Sequence, residues 1–593
     1  MTSRTITTPW GQQLLENPEV IALNDYPRPQ LRRDNWRNLN GWWEYAITKS
    51  DQQPASFEGK IRVPFSPETT LSGVGKMVGP ADFLWYRRHF SVNTKETAPA
   101  NRRTLLHFGA VDQICEVFLN GQSIGTHVGG YWPFEFDITH QLQADNELIV
   151  KVQDFSDNPR YAYGKQKQKH GQIWYTPQSG IWQTVWLEQV PQTYVTQLQW
   201  CPQFDEGQIL LTLGTNQPFA KGTLLITSQE QVVCQREFSD TTVAILLPQV
   251  HPWTPADPHL YQVTLTVDED RFTSYFGMRK FSIGKRNGVT VPLLNNQPVF
   301  FNGLLDQGYW SDGGYTPPSD EALVYDIQQM KDLGFNLLRK HIKIEPLRWY
   351  YHCDRLGMLV WQDFVSGGGP DYHPLVIQVL PFIGVTLKDH HYRWFGRQLA
   401  ASRQQFRQEM HDTVKLLQNG TSLAVWVPFN EGWGQFDSLP VTAELRQLDP
   451  TRLIDTASGY HDQGAGDFHS AHVYFKKFRM KPDRKQRIQV LSEFGGYSLP
   501  VVGHMASDKR FGYKKFPDQE RFLTAYLKLF TEEVLPAVSQ GLAGTVYTQV
   551  SDVEDELNGL MTFDRRVLKV DENRLRKMNH TIAETFQQLH KDN

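Results

Sequence analysis

Leu423-Ala424-Val425-Trp426-Val427-Pro428 is an unbroken run of apolar residues and proline, and Phe429-Asn430-Glu431-Gly432 follows it with an amide and a carboxyl. A run of this length predicts a strand buried on both faces that ends where the polar groups begin. A parallel barrel sets catalytic groups at such a point, because the carboxyl ends of its strands open on one pocket and the strands hold position rigidly. The alternative is a strand-end carboxyl that only caps or pairs. Ile488-Gln489-Val490-Leu491-Ser492-Glu493-Phe494-Gly495-Gly496 has the same form. Two strands thus deliver Glu431 and Glu493 alike.

Outward from these two stretches, strand-like and helical patterns alternate. Strands are predicted at 299–304, 335–340, 358–361, 423–428, 452–456, 471–474, 489–492 and 543–548, with helices at 321–333, 345–356, 406–417, 441–448 and 519–539. That alternation predicts a (β/α)8 TIM barrel over residues 286–593, with Glu431 ending strand four and Glu493 ending strand seven.

The earlier part of the chain carries short β-prone runs without long helical periods. Runs at 104–108, 115–119 and 147–152, with the hairpin signal Asn120-Gly121, predict a β-sandwich of jelly-roll type over 1–188. Runs at 208–213, 222–227, 243–247 and 261–267 predict an immunoglobulin-like sandwich over 189–285, whose task is to hold its neighbours in register. Tyr131-Trp132-Pro133 and Ile173-Trp174-Tyr175 either stack on carbohydrate or pack between domains.

With 593 residues the chain exceeds a single core. Its 60 basic and 64 acidic residues give a net charge of −4, which supplies no basic field for nucleic acid and no polybasic membrane anchor. Cys115, Cys201, Cys234 and Cys353 are scattered without a C-x-x-C pair, arguing against a zinc site or a disulfide framework and for reduced thiols. The first twenty residues lack the apolar core of a secretory signal, and no window approaches a membrane span, so a cytoplasmic protein is expected. On that expectation the Asn-x-Thr sequons at Asn419 and Asn579 carry no weight.

Paired carboxyls are what cleavage of a glycosidic bond needs, one to protonate the leaving oxygen and one to attack or to stabilise charge at the anomeric carbon. Asn430-Glu431 and Ser492-Glu493-Phe494-Gly495 resemble the acid/base and nucleophile pair of glycoside hydrolase family 2, the family of β-galactosidases, β-glucuronidases and β-mannosidases. Asn35 to Glu44, Val63-Pro64-Phe65, Leu84 to Arg88, His107 to Asp112, Leu119-Asn120-Gly121 and Gly180-Ile181-Trp182-Gln183 are similar, in that order, to its N-terminal sugar-binding-type domain.

The resemblance implies a retaining β-glycosidase, needing neither metal nor cofactor, with Glu431 as acid/base, Glu493 as nucleophile and their carboxyls about 5–5.5 Å apart. It assigns Asn430 to the sugar 2-hydroxyl, and Arg339 and Tyr474 to hydrogen bonds with the nucleophile. His341 is either a site residue or a satisfied structural histidine, since many members carry one more residue between it and the arginine. Asp306, Trp433 and Gln435 are candidates for the wall of the sugar subsite. Tyr547 stands where the family often has tryptophan. The substrate is an oligosaccharide or β-glycoside, and a homo-oligomer is common in the family.

The family's β-glucuronidases bind the substrate carboxylate through an Asn-x-Lys motif shortly before a segment that appears here as Gly559 to Arg565. Glu556 and Asn558 occupy those places, and a carboxylate there repels a uronide. A β-galactoside is favoured by analogy with the three-domain plan, with mannoside and arabinoside left open. A carbohydrate-binding protein would need neither glutamate. A metal-dependent hydrolase would have Asp389-His390-His391 as its nearest ligand cluster, otherwise a solvated loop. The stretch 366–397, rich in Gly, Pro, His and aromatics, is expected to form a lid or a subunit contact.

Overall fold

The computed structural model describes residues 6–92, 101–369 and 373–591. Asn120 and Gly121 both take positive φ, 52° and 79°, and turn Ile114–Leu119 into Gln122–Val128, the backbone a two-residue hairpin needs. These strands edge a six-stranded sheet that packs on a four-stranded one, and Trp43, Val117, Leu106 and Leu187 from the two inner faces share a core. A second sandwich of three- and four-stranded sheets spans Val195–Gln203 to Asp270–Phe276, with Trp200, Leu211, Leu224 and Phe272 inside.

The C-terminal part is a parallel eight-stranded sheet curled into a nearly closed barrel. Its strands are β1 Phe301–Asp306, β2 Leu337–Lys340, β3 Leu359–Asp363, β4 Leu423–Val427, β5 Leu453–Ile454, β6 Phe468–Val473, β7 Ile488–Gly495 and β8 Leu542–Thr548. They pair in the order 5-4-3-2-1-8-7-6. Almost every strand residue is buried, as expected of strands covered on both faces. Phe301, Trp361 and Phe468 meet across the interior, with ring centres 5.2–6.4 Å apart, and fill its floor.

Both sandwiches are fastened to the barrel by buried polar contacts. Trp132 Nε1 donates to Thr413 Oγ1 at 3.1 Å and Thr316 Oγ1 to Trp182 O at 2.7 Å. Trp253 Nε1 donates to Asp354 O at 2.7 Å and Tyr275 Oη to Asp354 Oδ2 at 2.9 Å. Tyr131 and Trp132 are therefore packing residues between domains. Asn419 donates to Leu198 O at 2.7 Å and Asn579 to Leu333 O at 2.8 Å, so both sequon asparagines are tied to backbone. All four cysteines are free thiols. Among the described residues no helix is long and apolar enough to cross a membrane.

Candidate active site

Pro428 ends the ladder of β4, and Phe429–Asn430 then pairs with Ala457–Ser458 as a short parallel extension. Glu431 N donates to Ser458 O at 2.9 Å, and Glu431 itself sits at φ 53°, a left-handed conformation costly for a residue with a side chain. The pair of short strands holds that strained turn and aims the carboxyl over the barrel. Glu493 arrives differently. It lies inside β7 rather than beyond its end, and the registers with β6 and β8 both shift across Ser492-Glu493. A bulge of this kind re-aims one side chain, which brings the Glu493 carboxyl into the barrel. One ligand atom each from Glu431, Glu493 and His472 lie within 4.8 Å of one another.

Arg339, fully buried at the end of β2, organises this centre. Its Nη1 donates to Glu493 Oε1 at 3.1 Å and its Nη2 to Asn430 Oδ1 at 2.8 Å. Its Nε and Nη2 grip Asp363 at 2.9 and 3.1 Å. Burial works against the guanidinium's charge, but Asp363 and Glu493 raise its pKa above the ordinary value. Tyr474 Oη donates to Glu493 Oε2 at 2.6 Å and lies 2.9 Å from Thr548 Oγ1; burial, then the Glu493 charge, pushes its pKa well up, so it stays a donor. Asn430 gives its oxygen to Arg339, and its NH2 group has no protein partner among the described residues. Arg339→Met leaves Asp363 and Glu493 buried without a counter-charge. The expected loss is about 3–5 kcal/mol of stability, read as a lowered Tm.

His341 is buried, with Nδ1 2.7 Å from Asp363 Oδ2, and burial holds its pKa well below the ordinary value. It is a neutral imidazole paired within the same cluster.

Three sequence candidates lie elsewhere. Asp306 is the register partner of Lys340, pairs with its Nζ at 2.7 Å and accepts from Gly308 N, so its carboxyl is committed to an ion pair rather than to the subsite wall. Tyr547 points outward, since side chains alternate along β8 and its neighbour Thr548 faces the site. It packs among Phe494, Tyr497, Tyr526 and Phe530, beside Gly495 (φ 81°), where an added Cβ would meet its ring at 2.1 Å. Trp433 is buried with its edge against Tyr163 and Trp174, at 5.6 and 5.1 Å between ring centres, and offers no open platform.

Gln435 is likewise internal, donating to Asp389, Ser438 and His461. Asp389 is correspondingly buried and accepts from Ser438 N, unlike a solvated loop residue, while His390 and His391 are exposed. The stretch 366–397, apart from 370–372, which lie outside the described residues, packs on the Glu431 loop through Arg397 Nε to Gly434 O at 2.8 Å.

Sequence reasoning did not select His472, Tyr460 or Asp363. His472 Nδ1 stands 3.0 Å from Glu431 Oε1 and 3.6 Å from Glu493 Oε2, and its Nε2 is 3.1 Å from Ser458 Oγ. Ser458 Oγ donates to Ser492 Oγ at 2.9 Å, which leaves its lone pair to accept from His472 Nε2–H. His472 Nδ1 then faces Glu431 as an acceptor, suited to a carboxyl that carries a proton. Tyr460 hydrogen-bonds Glu431, and burial, then the charges of Glu431 and Glu493, raises its pKa. His472 shares a strand face with Tyr474, two residues on, and Asp363 ends Leu359–Asp363 in the same apolar-to-carboxyl form as the glutamates. Both signals were present. Tyr460, in a loop, had none.

Three family models match in chain order: "Glycosyl hydrolases family 2, sugar binding domain" over residues 28–191, "Glycosyl hydrolases family 2" over 208–279, and "Glycosyl hydrolases family 2, TIM barrel domain" over 290–583. The chain belongs to glycoside hydrolase family 2. This family 2 chain is 25% identical over 303 residues to a β-galactosidase of Thermoanaerobacter pseudethanolicus, covering 47% of itself and 39% of that protein. It is 27% identical over 385 residues to the β-galactosidase large subunit of Latilactobacillus sakei (62% and 57%), and 24% over 396 residues to a putative β-glucuronidase of Formosa agariphila (63% and 34%). It thus spans well under two thirds of the length of these curated relatives.

Among solved structures, a β-glucuronidase of an uncultured Clostridium superposes with TM-score 0.72 at 17% identity, over 93% of this chain and 99% of the other. A family 2 β-galacturonidase of Eisenbergiella tayi bound to galacturonate gives 0.68 at 17% identity, over 95% and 99%. At such identity these two likenesses show the fold alone.

Proposed function

We propose that the protein is a retaining, exo-acting β-glycosidase. The observation that carries this reading is the approach of the Glu431 and Glu493 carboxyls, with one ligand atom of each within 4.8 Å, at the carboxyl end of the barrel. Retaining enzymes hold their carboxyls about 5–5.5 Å apart, and inverting enzymes about 6.5–9.5 Å apart to admit a water.

In the proposed reaction Glu493, oriented by Arg339 and Tyr474, attacks the anomeric carbon while Glu431 gives its proton to the leaving oxygen. The aglycone departs as an alcohol. Glu431, now a carboxylate, takes a proton from water, whose oxygen attacks the same carbon and releases Glu493. The unpartnered NH2 of Asn430 is assigned to the sugar 2-hydroxyl, where a bond that tightens as charge develops lowers the barrier.

Glu556 supports a neutral sugar over a uronide. It is buried, accepts from Tyr175 Oη and from Asn558 Nδ2 at 2.9 Å, and Asn558 in turn accepts from Gln549 at 2.8 Å. A second carboxylate brought against it would be desolvated and repelled. Several of the curated relatives are named β-galactosidases, so a β-galactoside is the first substrate to try. Initial rates on nitrophenyl β-galactoside, β-mannoside, α-L-arabinoside, β-glucuronide and β-galacturonide test the assignment. Turnover of a neutral glycoside is expected; turnover of the uronides alone would overturn the preference.

The set Glu431, His472 and Glu493 has the donor types of a metal site. In the proposed mechanism those carboxyls exchange protons and attack carbon, which a bound cation would block. Full activity after dialysis against a chelator is the expected result, and loss restored by added metal would favour metal-dependent hydrolysis.

A further inference from the structure

A loop of the N-terminal sandwich reaches into the barrel mouth. Tyr163 N and Gly164 N both donate to Ser366 O, at 3.2 and 2.9 Å. Gly164 takes φ 60° and lies so close to the turn after His341 that an added Cβ would stand 2.7 Å from Ile342 O. Lys165 O accepts from Tyr175 N at 2.9 Å, and Tyr175 Oη bonds Glu556. Trp174 packs on Trp433, two residues beyond Glu431, and its ring centre is 5.6 Å from Lys165 Nζ. Lys165 is therefore framed by the end of β2, the Glu431 loop and Glu556.

The ammonium of Lys165 is only half-exposed and makes no ion pair or side-chain hydrogen bond among the described residues. Its charge nevertheless bears on His341, Asp363 and Glu556. Glu556 faces it with opposite sign but outside contact distance. Two opposite charges, held apart by different domains, leave a gap that one donor and one acceptor of a ligand can fill together. Neighbouring hydroxyls of a pyranose have that character, since each both gives and takes a hydrogen bond.

We propose that Lys165 is a substrate-binding residue supplied to the barrel by the N-terminal domain, and that with Glu556 it grips two hydroxyls of one neutral sugar ring. The ammonium donates to one hydroxyl oxygen and the carboxylate accepts from the other hydroxyl. Balanced charge makes the pair selective for an uncharged ring. Without the carboxylate, the unopposed ammonium accepts a uronide. This inference rests on the β-glycosidase reading for its substrate class, and a binding measurement separates the two.

The test compares wild type, Lys165→Met, Glu556→Gln and the double variant. Turnover is measured on the best neutral nitrophenyl glycoside and on the β-galacturonide; calorimetry measures binding of D-galactose and D-galacturonate. Lys165→Met is expected to lower kcat/KM on the neutral glycoside about 10- to 100-fold, the worth of a charge-assisted hydrogen bond, and to weaken D-galactose binding at unchanged Tm. Glu556→Gln is expected to raise the preference for galacturonate about 10-fold or more, and the double variant to lose that gain. A Lys165→Met enzyme within about twofold of wild type in both turnover and binding would overturn the proposal. So would a galacturonate gain that survives the loss of Lys165. Absence of all turnover, with sugar binding still dependent on Lys165, would sink the glycosidase reading and leave this one standing.

Discussion

Replacing Glu493 by glutamine lowers kcat by about 10⁴-fold or more on any substrate the protein turns over, the scale on which enzymes lose activity with their nucleophile. The amide keeps the shape of the side chain and its contact with Arg339 Nη1, at 3.1 Å in the native protein, but cannot displace a leaving group from the anomeric carbon. KM is expected to change little, because the residue's main work is done in the transition state. Single-turnover kinetics with a dinitrophenyl glycoside check this: wild type gives a burst of phenolate, and Glu493→Gln gives none. Equal activity of wild type and variant would remove Glu493 from the nucleophile's role.

Glu431→Ala separates the two steps. Without an acid, glycosides with poor leaving groups lose about 10²–10⁴-fold in kcat/KM, while dinitrophenyl glycosides, whose phenolate leaves without a proton, lose far less. The second step then lacks its base and the glycosyl-enzyme accumulates. Azide needs no base, fits the space vacated by the carboxylate and restores turnover as a glycosyl azide. A β-configured product from a β-glycoside reports retention directly. An α-azide would mean a single displacement, and the 4.8 Å approach of the two side chains would then need another explanation. His472 is a positioning residue in this scheme: His472→Ala removes the partner 3.0 Å from Glu431 Oε1 and is expected to move the pH profile of kcat/KM as well as its height.

Much of this architecture was legible in the linear chain because it depends on local pattern. The apolar run into Glu431, repeated before Glu493 and again before Asp363, marks strands buried on both faces whose ends meet a pocket. Asn120-Gly121 set its hairpin through backbone conformations that those two residues adopt readily. The same local reading failed where a side chain's direction depends on register. Tyr547 was expected at the pocket wall, but the alternation along β8 gives Thr548 to the site and turns Tyr547 to the outer layer. Asp306 was expected in the subsite, but its neighbour in the next strand is Lys340, which claims its charge.

The sequence by itself determined the order of two sandwiches and a parallel barrel, and which two glutamates are presented alike, because periodicity and strand-end chemistry are properties of short segments. Only the tertiary structure decided that His472 stands between those glutamates, that Arg339 links Glu493, Asn430 and Asp363, and that Lys165 comes from another domain to face Glu556. Those relations join residues far apart in the chain. They exist only once closure of the barrel and docking of the N-terminal sandwich have brought separate strand ends and one loop around a single pocket.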